Sequence, residues 1–393
     1  MSVSPLYLDS LSTTPLSDGV RQAMEEQRLV FLGNPSSANA SGLRARIALG
    51  ESREPFRCLI HAALEEEILF TSGATESANL AIKGVAWASA DSERIHIVLS
   101  EIEHPAVEES VRFLESQGFT ATRVAVDPEG RVSPDSIREA IRPDTCLVAA
   151  HLGNYDSGTV QPIAEIGAVC RQLSVPLFCD ASLSGGWLPI NVQAMGIDLL
   201  SLAPHRFGGP SGVGVLYRRR NSVLEPLLHG GRQEFMFRAG TENVEGIVGA
   251  AVSARLASDG MALRLERCVG LQRLCLARLS EEVTHWRLNG PEPGPGRDPH
   301  HLSISFQHVE AEALALRLDL RGIQVGAGTG CRSRELKLSP VLAAMGVPKE
   351  WALGTLLIGL SETLSEQEID RAVKEIAAAV AKLREMSAGW KMM

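Results

Sequence analysis

The stretch "DLLSLAPHRFGGPSGVGVLY", from Asp198 to Tyr217, decides the fold class. Two short apolar runs of strand length flank Pro204-His205-Arg206 and a glycine-rich turn. Charged side chains at the end of a buried strand are costly unless they find partners. The stretch therefore predicts two buried strands joined by a turn that carries functional side chains.

The same kind of strand recurs through the first two thirds of the chain. The predicted strands are "EILFTSG", "RIHIVLSE", "TCLVAAHLGN", "VPLFCDAS", "DLLSLAP" and "GVGVLYRR". Between them lie amphipathic helical patterns such as "ESANLAIKGVAWAS", "AVEESVRFLESQG" and "IAEIGAVCRQLS". This alternation predicts an α/β fold whose mostly parallel sheet is covered by helices on both faces. In such sheets ligands bind at the carboxyl ends of the strands.

The pattern changes near residue 258. A long helix starting at Gly260 is predicted, followed by a loop, the strand "LSISFQ", the glycine-rich "VGAGTGCRSRE" and a C-terminal helix. We therefore expect a large α/β domain of cofactor-binding type over residues 16–257. Residues 1–15 and 258–393 are expected to form a smaller α+β domain that carries the Cys331 loop.

Composition excludes several classes of protein. The chain has 393 residues and a net charge of −9, so it lacks the basic character of a nucleic-acid or membrane-surface protein. No apolar run reaches the length of a membrane span, and the N-terminus lacks the features of a signal peptide. The seven cysteines are scattered without a C-x-x-C pair, which argues against a disulfide framework or a zinc site. These features predict a cytoplasmic protein.

The motif "LFTSGATESANLAI" is the first candidate binding element. It places Ser72 to Glu76, including Ala74 and Thr75, between a predicted strand and a helix. Backbone N–H groups at such a helix start can hold a phosphate. An ordinary helix cap by Ser72 or Thr75, with Glu76 nearby, explains the same residues.

Two further strand ends carry ionisable side chains. Asp180 ends the strand in "PLFCDAS", and a carboxylate there needs a cationic partner, either a ring nitrogen of a cofactor or a basic side chain. A helix-capping or turn aspartate is the alternative. His104 in "SEIEHPAV" ends another strand and could equally be an ordinary loop histidine.

Cys331 is the candidate reactive thiol. Small residues precede it in "GAGTGCRS", and Arg332 and Arg334 follow it. A flexible loop can carry a thiol to a site, and nearby positive charge favours the thiolate. A buried structural cysteine is the alternative, which fits Cys170 and Cys275 better because they lie in apolar helical patterns.

Taken together, these motifs resemble the NifS/IscS-type cysteine desulfurases of the class V aminotransferase group. The resemblance rests on "YLDSLSTTP", "GNPSS", "TSGATES", "EHPAV", "GTVQPI", "CDAS", "HGG" and "RAGTEN", in order along nearly the whole chain. It implies the three-layer fold of PLP-dependent transferases, with a seven-stranded, mostly parallel sheet. It also implies a homodimer, since the family completes its site across the interface, and a sulfur-accepting or cluster-assembly protein as partner.

The family binds pyridoxal phosphate (PLP) through a lysine and passes the sulfur of cysteine to a loop cysteine as a persulfide. The resemblance places the cofactor site at Ala74, Thr75, His104, Asp180, His205, Arg206 and, from the partner subunit, Thr241. His104 would stack on the ring and Asp180 would pair with its nitrogen. The phosphate would be held by Ala74, Thr75, His205 and Thr241. Cys331 would be the catalytic persulfide carrier.

Five positions depart from the family pattern. Arg206 stands at the position of the lysine, and a guanidinium has no free lone pair with which to form a Schiff base. Tyr155, Leu183 and Ala203 replace an asparagine, a glutamine and a serine that contact the cofactor. Leu357 replaces the arginine that binds the substrate carboxylate, a loss on the order of a few kcal/mol in a dry pocket.

Three hypotheses follow from these departures. In the first, the protein no longer desulfurates cysteine and acts as a homodimeric scaffold or sulfur-handling partner. Cys331 would then accept a persulfide or hold a cluster or metal, no PLP would be covalently bound, and Arg206 would turn toward Asp180. In the second, an enzyme binds PLP or its amine form non-covalently, with Arg206 as an anion binder. In the third, the protein is still an active desulfurase in which another group replaces the lysine.

Overall fold

The structure is a computed structural model that describes residues 5–30, 33–90, 94–328, 338–387 and 390. Its strands are β1 (Leu6–Leu8), β2 (Ile68–Thr71), β3 (His96–Ser100), β4 (Thr120–Val124), β5 (Thr145–His151), β6 (Leu177–Asp180), β7 (Leu199–Leu202), β8 (Gly214–Arg218), β9 (Trp286–Leu288), β10 (His301–Phe306), β11 (Ile323–Ala327) and β12 (Thr355–Gly359). Its helices are α1 (Asp18–Val30), α2 (Ala40–Glu51), α3 (Arg53–Ile60), α4 (Ala74–Ser89), α5 (Pro105–Glu115), α6 (Pro134–Ala140), α7 (Ile163–Leu173), α8 (Val244–Glu282), α9 (Ala311–Asp319), α10 (Pro340–Ala344), α11 (Lys349–Ala352) and α12 (Glu366–Met386).

The larger sheet has seven strands in the order β2-β8-β7-β6-β5-β3-β4. Five neighbouring strands run parallel, namely β4, β3, β5, β6 and β7. In contrast, β8 is antiparallel to both β7 and β2. The predicted seven-stranded, mostly parallel sheet is therefore confirmed. The antiparallel β8 follows from the short turn in the opening stretch, because a parallel connection would need a longer crossover.

Helices cover both faces of this sheet. Alternate strand residues enter two separate hydrophobic clusters: Val98 and Val148 lie in one, and Ile97 and Leu147 in the other. This two-residue period places both faces of each inner strand in a core, which is why the strands are apolar throughout. The predicted three-layer arrangement is confirmed.

The smaller sheet has five strands in the order β1-β11-β12-β10-β9. It packs against α12 and the second half of α8, in a third hydrophobic cluster. The N-terminal strand β1 pairs with β11, so the chain start joins the C-terminal region. We propose that the two sheets mark the two predicted domains.

The helix predicted to begin at Gly260 begins earlier. A single helix, α8, runs unbroken from Val244 to Glu282 and crosses the proposed boundary between residues 257 and 258. The glycine at 260 is tolerated inside it, because a helical glycine costs only about 1 kcal/mol relative to alanine. One rigid element therefore links the two sheets.

The glycine at the first position of β8 is required by a close backbone contact. A Cβ atom on Gly214 would overlap the backbone of Gly73, at the start of α4. Only glycine lets the first residue of β8 approach the β2–α4 turn so closely.

No helix among the described residues is long and apolar enough to cross a membrane.

Candidate active site

A cavity of about 430 Å³ lies at the carboxyl ends of the parallel strands. The predicted site residues that line it are Ala74, Thr75, His104, Asp180, His205 and Arg206. Thr241, which the resemblance assigns to the cavity of a partner subunit, is exposed and does not line the cavity of its own chain. Cys331 lies outside the described residues.

The start of α4 forms one end of the cavity. Its N-cap residue, Gly73, has no side chain to pair with the first N–H groups of the helix, while Ser72 and Thr75 bring hydroxyls to the same wall. Glu76 accepts from the backbone N–H of Ser72 at 2.7 Å and from Arg238 at 2.9 Å, which lowers its pKa. The Glu76 carboxylate is therefore already paired with these two donors, and the start of α4 is suited to binding an anion.

Asp180 lies at the opposite end of the cavity and is only 7% exposed. Its Oδ1 accepts from the backbone N–H of Ser182 at 2.9 Å and from the Ser201 hydroxyl at 2.7 Å. The Ser182 hydroxyl also donates to the same oxygen. These neutral donors hold the carboxylate at the strand end without cancelling its charge, so it can attract a cationic group.

His104 forms the side wall. It is the N-cap of α5, where its Nδ1 accepts the backbone N–H of Ala106 at 3.1 Å. This hydrogen bond fixes the ring and leaves the proton of a neutral imidazole on Nε2. Tyr155 packs edge-on against it, with ring centroids 5.3 Å apart.

His205 belongs to the turn between β7 and β8. Its backbone carbonyl accepts both the N–H and the hydroxyl of Thr14, at 2.8 and 2.9 Å. Burial, and then the neighbouring Arg206 charge, lower the pKa of His205 to about 4. His205 is therefore neutral near pH 7 and would act as a hydrogen-bond donor rather than a cation toward an anionic ligand.

Arg206 does not turn toward Asp180 as predicted. Its Nη1 donates to the backbone carbonyl of Leu11. Burial raises the pKa of Asp9, and the positive charge of Arg206 partly opposes that shift. Leu11 and Asp9 both belong to the N-terminal segment of the chain. Within the described part of the chain, no ion pair joins Arg206 to Asp180. The prediction failed because the serines already satisfy one Asp180 oxygen while the Leu11 carbonyl accepts the guanidinium.

Four of the five departing positions meet in the cavity. Tyr155, Leu183, Ala203 and Arg206 all line it. Leu357 lies on β12, where it pairs with Ser303 of β10 and Gly326 of β11, and it does not line the cavity.

The sequence reasoning missed a buried residue that lines the cavity and the buried carboxylate paired with it. His151, at the end of β5, lines the cavity and is directly opposite Asp180 in the strand register. Its Nδ1 lies 2.8 Å from Oε1 of Glu103, which is also buried. The signal was present, since "AAHLGN" puts a histidine at a buried strand end as "FCDAS" puts an aspartate.

The cavity fits part of the cofactor that the resemblance implies. The α4 turn can hold a phosphate, and His104 and Asp180 can face a cationic ring. The cavity does not fit a covalent link at residue 206, because a guanidinium cannot form a Schiff base. Of the six lysines in the sequence, none in the described ranges lines the cavity.

Comparisons with known proteins place the chain in a family. The sequence model of the family "Aminotransferase class-V" matches residues 6–372. The chain is 40% identical over 382 residues to a protein named cysteine desulfurase IscS from Dictyoglomus turgidum, covering 97% of this chain and 96% of the relative. It is also 40% identical over 383 residues to a protein of the same name from Methanosarcina thermophila, covering 97% and 93%.

A solved structure described as a NifS-like protein superposes with a TM-score of 0.89 at 30% identity, covering 96% of this chain and 100% of that one. The similarity therefore extends over both sheets and over the residues that line the cavity. The chain belongs to the class-V aminotransferase family, as a homologue of the IscS/NifS cysteine desulfurases.

Proposed function

We propose that this protein handles sulfur as a persulfide on Cys331 and does not desulfurate cysteine through lysine-bound PLP. The observation that carries the proposal is Arg206, whose guanidinium lies at the cavity edge and is hydrogen-bonded to Leu11. A side chain that cannot form a Schiff base thus occupies the position where the resemblance expects the lysine.

The neighbouring departures support the same proposal. Leu183 and Ala203 bring apolar side chains to positions where the resemblance expects polar cofactor contacts, and Tyr155 fills a third. The amide of Asn154 is turned away, donating to the Ile102 carbonyl at 3.1 Å, so it does not replace the missing contact. A cofactor would lose several hydrogen bonds in this cavity, each worth about 0.5–1.5 kcal/mol.

The proposed chemistry is sulfur transfer between thiols. The Cys331 thiolate attacks the terminal sulfur of a donor persulfide, a new S–S bond forms, and the donor's own S–S bond breaks. The donor leaves as a thiolate, and the transferred sulfur keeps its proton. Because one S–S bond replaces another, no oxidant is needed. Arg332 and Arg334 favour the thiolate of Cys331 by their charge.

A second function is favoured by one specific observation. Asp180, His104 and the α4 turn still line one cavity, which retains the means to hold a phosphorylated cationic ring without a covalent bond. When bound, PLP or its amine form would supply an electron-withdrawing ring. In that case Arg206 would bind an anionic group of the substrate.

The visible spectrum with added PLP separates these functions. Purified protein mixed with PLP is expected to give no yellow, borohydride-reducible adduct, and no sulfide release from cysteine, because residue 206 offers no amine. A colourless complex detected by calorimetry would support the second function. A reducible adduct, or sulfide release, would contradict the proposal and favour an active desulfurase.

Arg206→Lys is the matched variant for this experiment. It is expected to remain nearly colourless, because Tyr155, Leu183 and Ala203 still remove cofactor contacts. If colour returns with the single change, those three positions matter less than proposed here, and the loss of the lysine alone explains the loss of the cofactor link.

We further propose a homodimer in the cytoplasm with a sulfur-accepting or cluster-assembly protein as partner. The segment before Thr241 supports the dimer, because Leu228, Phe235 and Met236 are apolar and are 45%, 44% and 62% exposed. Apolar side chains exposed together mark an interaction surface. This surface would bring Thr241 to the cavity of the partner subunit.

Met236→Glu is expected to convert the dimer to monomers, because it would bury an unpaired charge in the interface. Sedimentation velocity measures the change in mass. The control is Leu263→Glu, which alters a residue 77% exposed on α8 and should leave the dimer intact. A monomeric wild type, or a Met236→Glu dimer as stable as wild type, would contradict this interface.

A further inference from the structure

Glu103 and His151 form a buried pair beneath the cavity. Glu103 Oε1 accepts from His151 Nδ1 at 2.8 Å and from the backbone N–H of the same residue at 3.1 Å. Both side chains are almost inaccessible, with exposures of 1% and 4%. The pair joins the segment after β3 to the end of β5 and lies beside the Asp180 strand.

The hydrogen-bond network fixes the tautomer of His151. The orientation of the Gln161 amide is set at both ends, since its oxygen accepts from Val132 N–H at 2.9 Å and its nitrogen donates to the Gly130 carbonyl at 2.7 Å. The same nitrogen lies 3.2 Å from His151 Nε2. His151 Nε2 must therefore accept, and the ring proton lies on Nδ1, where it is donated to Glu103.

A second amide reinforces this assignment. The Asn154 oxygen accepts the backbone N–H groups of Asp156 and Ser157, both at 2.9 Å, so its nitrogen is the atom 3.4 Å from His151 Nε2. A proton on Nε2 would face two amide N–H groups. The remaining site for an added proton in this pair is the Glu103 carboxyl.

Glu103 has one oxygen available for that proton. Its Oε2 is buried, and it has no hydrogen-bond partner among the residues that the structure describes. Burial first, and the nearby Asp180 charge further, raise the pKa of Glu103, although the His151 contacts oppose the shift. The titratable groups that act on Glu103 are His151 on β5 and Asp180 and Cys179 on β6.

We propose that Glu103 is a second titratable carboxyl group beside this cavity, and that its protonation state depends on whether the charge of Asp180 is neutralised. While Asp180 is unpaired, Glu103 holds a proton on its otherwise unpartnered oxygen. When a cationic group of a ligand pairs with Asp180, the repulsion between the two carboxylates falls and Glu103 releases that proton to solvent. Pairing of a cationic group with Asp180 is therefore coupled to proton release from Glu103.

The inference is independent of the function proposed above, since it concerns only the charge balance of the cavity floor. Its test needs no ligand. Asp180→Asn imitates the neutralised state, and the new amide oxygen can still accept from Ser182 and Ser201. Infrared difference spectra over a pH titration follow the carbonyl stretch of buried carboxylic acids.

The wild type is expected to show one such band that is absent from Glu103→Gln, and this absence assigns the band to Glu103. In Asp180→Asn, its pH midpoint should fall by about one unit, the effect of removing a neighbouring like charge. The matched control is Asp156, a buried carboxyl whose pKa burial raises to about 6 and which is hydrogen-bonded to Ser339. Its band, assigned with Asp156→Asn, should not move.

Histidine nitrogen chemical shifts supply the second measurement. They should show His151 with its proton on Nδ1 in both the wild type and Asp180→Asn. A Glu103 midpoint that Asp180→Asn leaves unchanged, or a His151 proton on Nε2, would overturn the proposal. Circular dichroism of each variant checks that the fold is retained.

Discussion

Glu234→Ala is expected to lower the free energy of unfolding by about 3–5 kcal/mol, the cost of breaking a buried ion pair from one side. Glu234 forms a two-armed pair with Arg53, with N–O distances of 2.7 and 2.9 Å, and also accepts the backbone N–H of Phe70 at 2.8 Å. Both side chains are buried. The alanine would leave the Arg53 guanidinium without its counter-charge, with the Ile68 carbonyl as a remaining acceptor, and would leave the Phe70 N–H group within the edge strand β2 without its acceptor.

The pair also holds an unusual turn. Residues 234–236 all have positive φ angles although none is glycine, and Phe235 and Met236 lie exposed beyond it. Such conformations cost about 1–3 kcal/mol each and persist only when the surroundings fix them. Losing the Glu234 anchor should therefore also disorder the surface proposed for the dimer, and Glu234→Ala should weaken dimerisation.

Glu54→Ala supplies the matched control. Glu54 pairs with Arg57 on α3 at 2.5 Å, but these side chains are 43% and 33% exposed. An exposed pair contributes only about 0–1 kcal/mol. Urea unfolding curves should therefore separate the two variants clearly. A Glu234→Ala midpoint close to that of Glu54→Ala would refute the argument.

The sequence predicted the larger sheet well because its strands are apolar on both faces. The runs ending in Thr71, Ser100, His151 and Asp180 are all fully buried strands. β4 was missed because it is an edge strand, "TATRV", with only its last residue buried. A half-exposed strand lacks the continuous apolar run that identified the others.

Asp180 and His104 could be predicted to line the cavity because one ends a strand and the other begins a helix. The sequence could not show which of several possible acceptors a charged side chain such as that of Arg206 would bind. Arg206 was expected to pair with Asp180 because a buried charge needs a counter-charge, but a backbone carbonyl, that of Leu11, also satisfies a guanidinium. That carbonyl comes from 195 residues away in the chain, and no local pattern indicates it.

Cys331→Ser is expected to abolish persulfide labelling of the protein, with a fall of at least about tenfold, because no other cysteine offers a comparable thiolate. Burial raises the pKa of Cys146, Cys170, Cys268 and Cys275 to about 12, and it raises that of Cys179 well above the ordinary value for a thiol. At neutral pH a thiol with a pKa of about 12 is only ~10⁻⁵ ionised. These five cysteines should therefore be inert.

Cys58 provides the control because it is the exposed cysteine among the described residues. Its thiol donates to Glu54 at 3.2 Å, and this hydrogen bond, with partial burial, raises its pKa. Cys58→Ser should thus leave the persulfide label unchanged, and alkylation by iodoacetamide should show one fast thiol per chain that only Cys331→Ser removes. If the label follows Cys58 instead, or survives in Cys331→Ser, Cys331 is not the sulfur carrier, and the proposed transfer loses its acceptor.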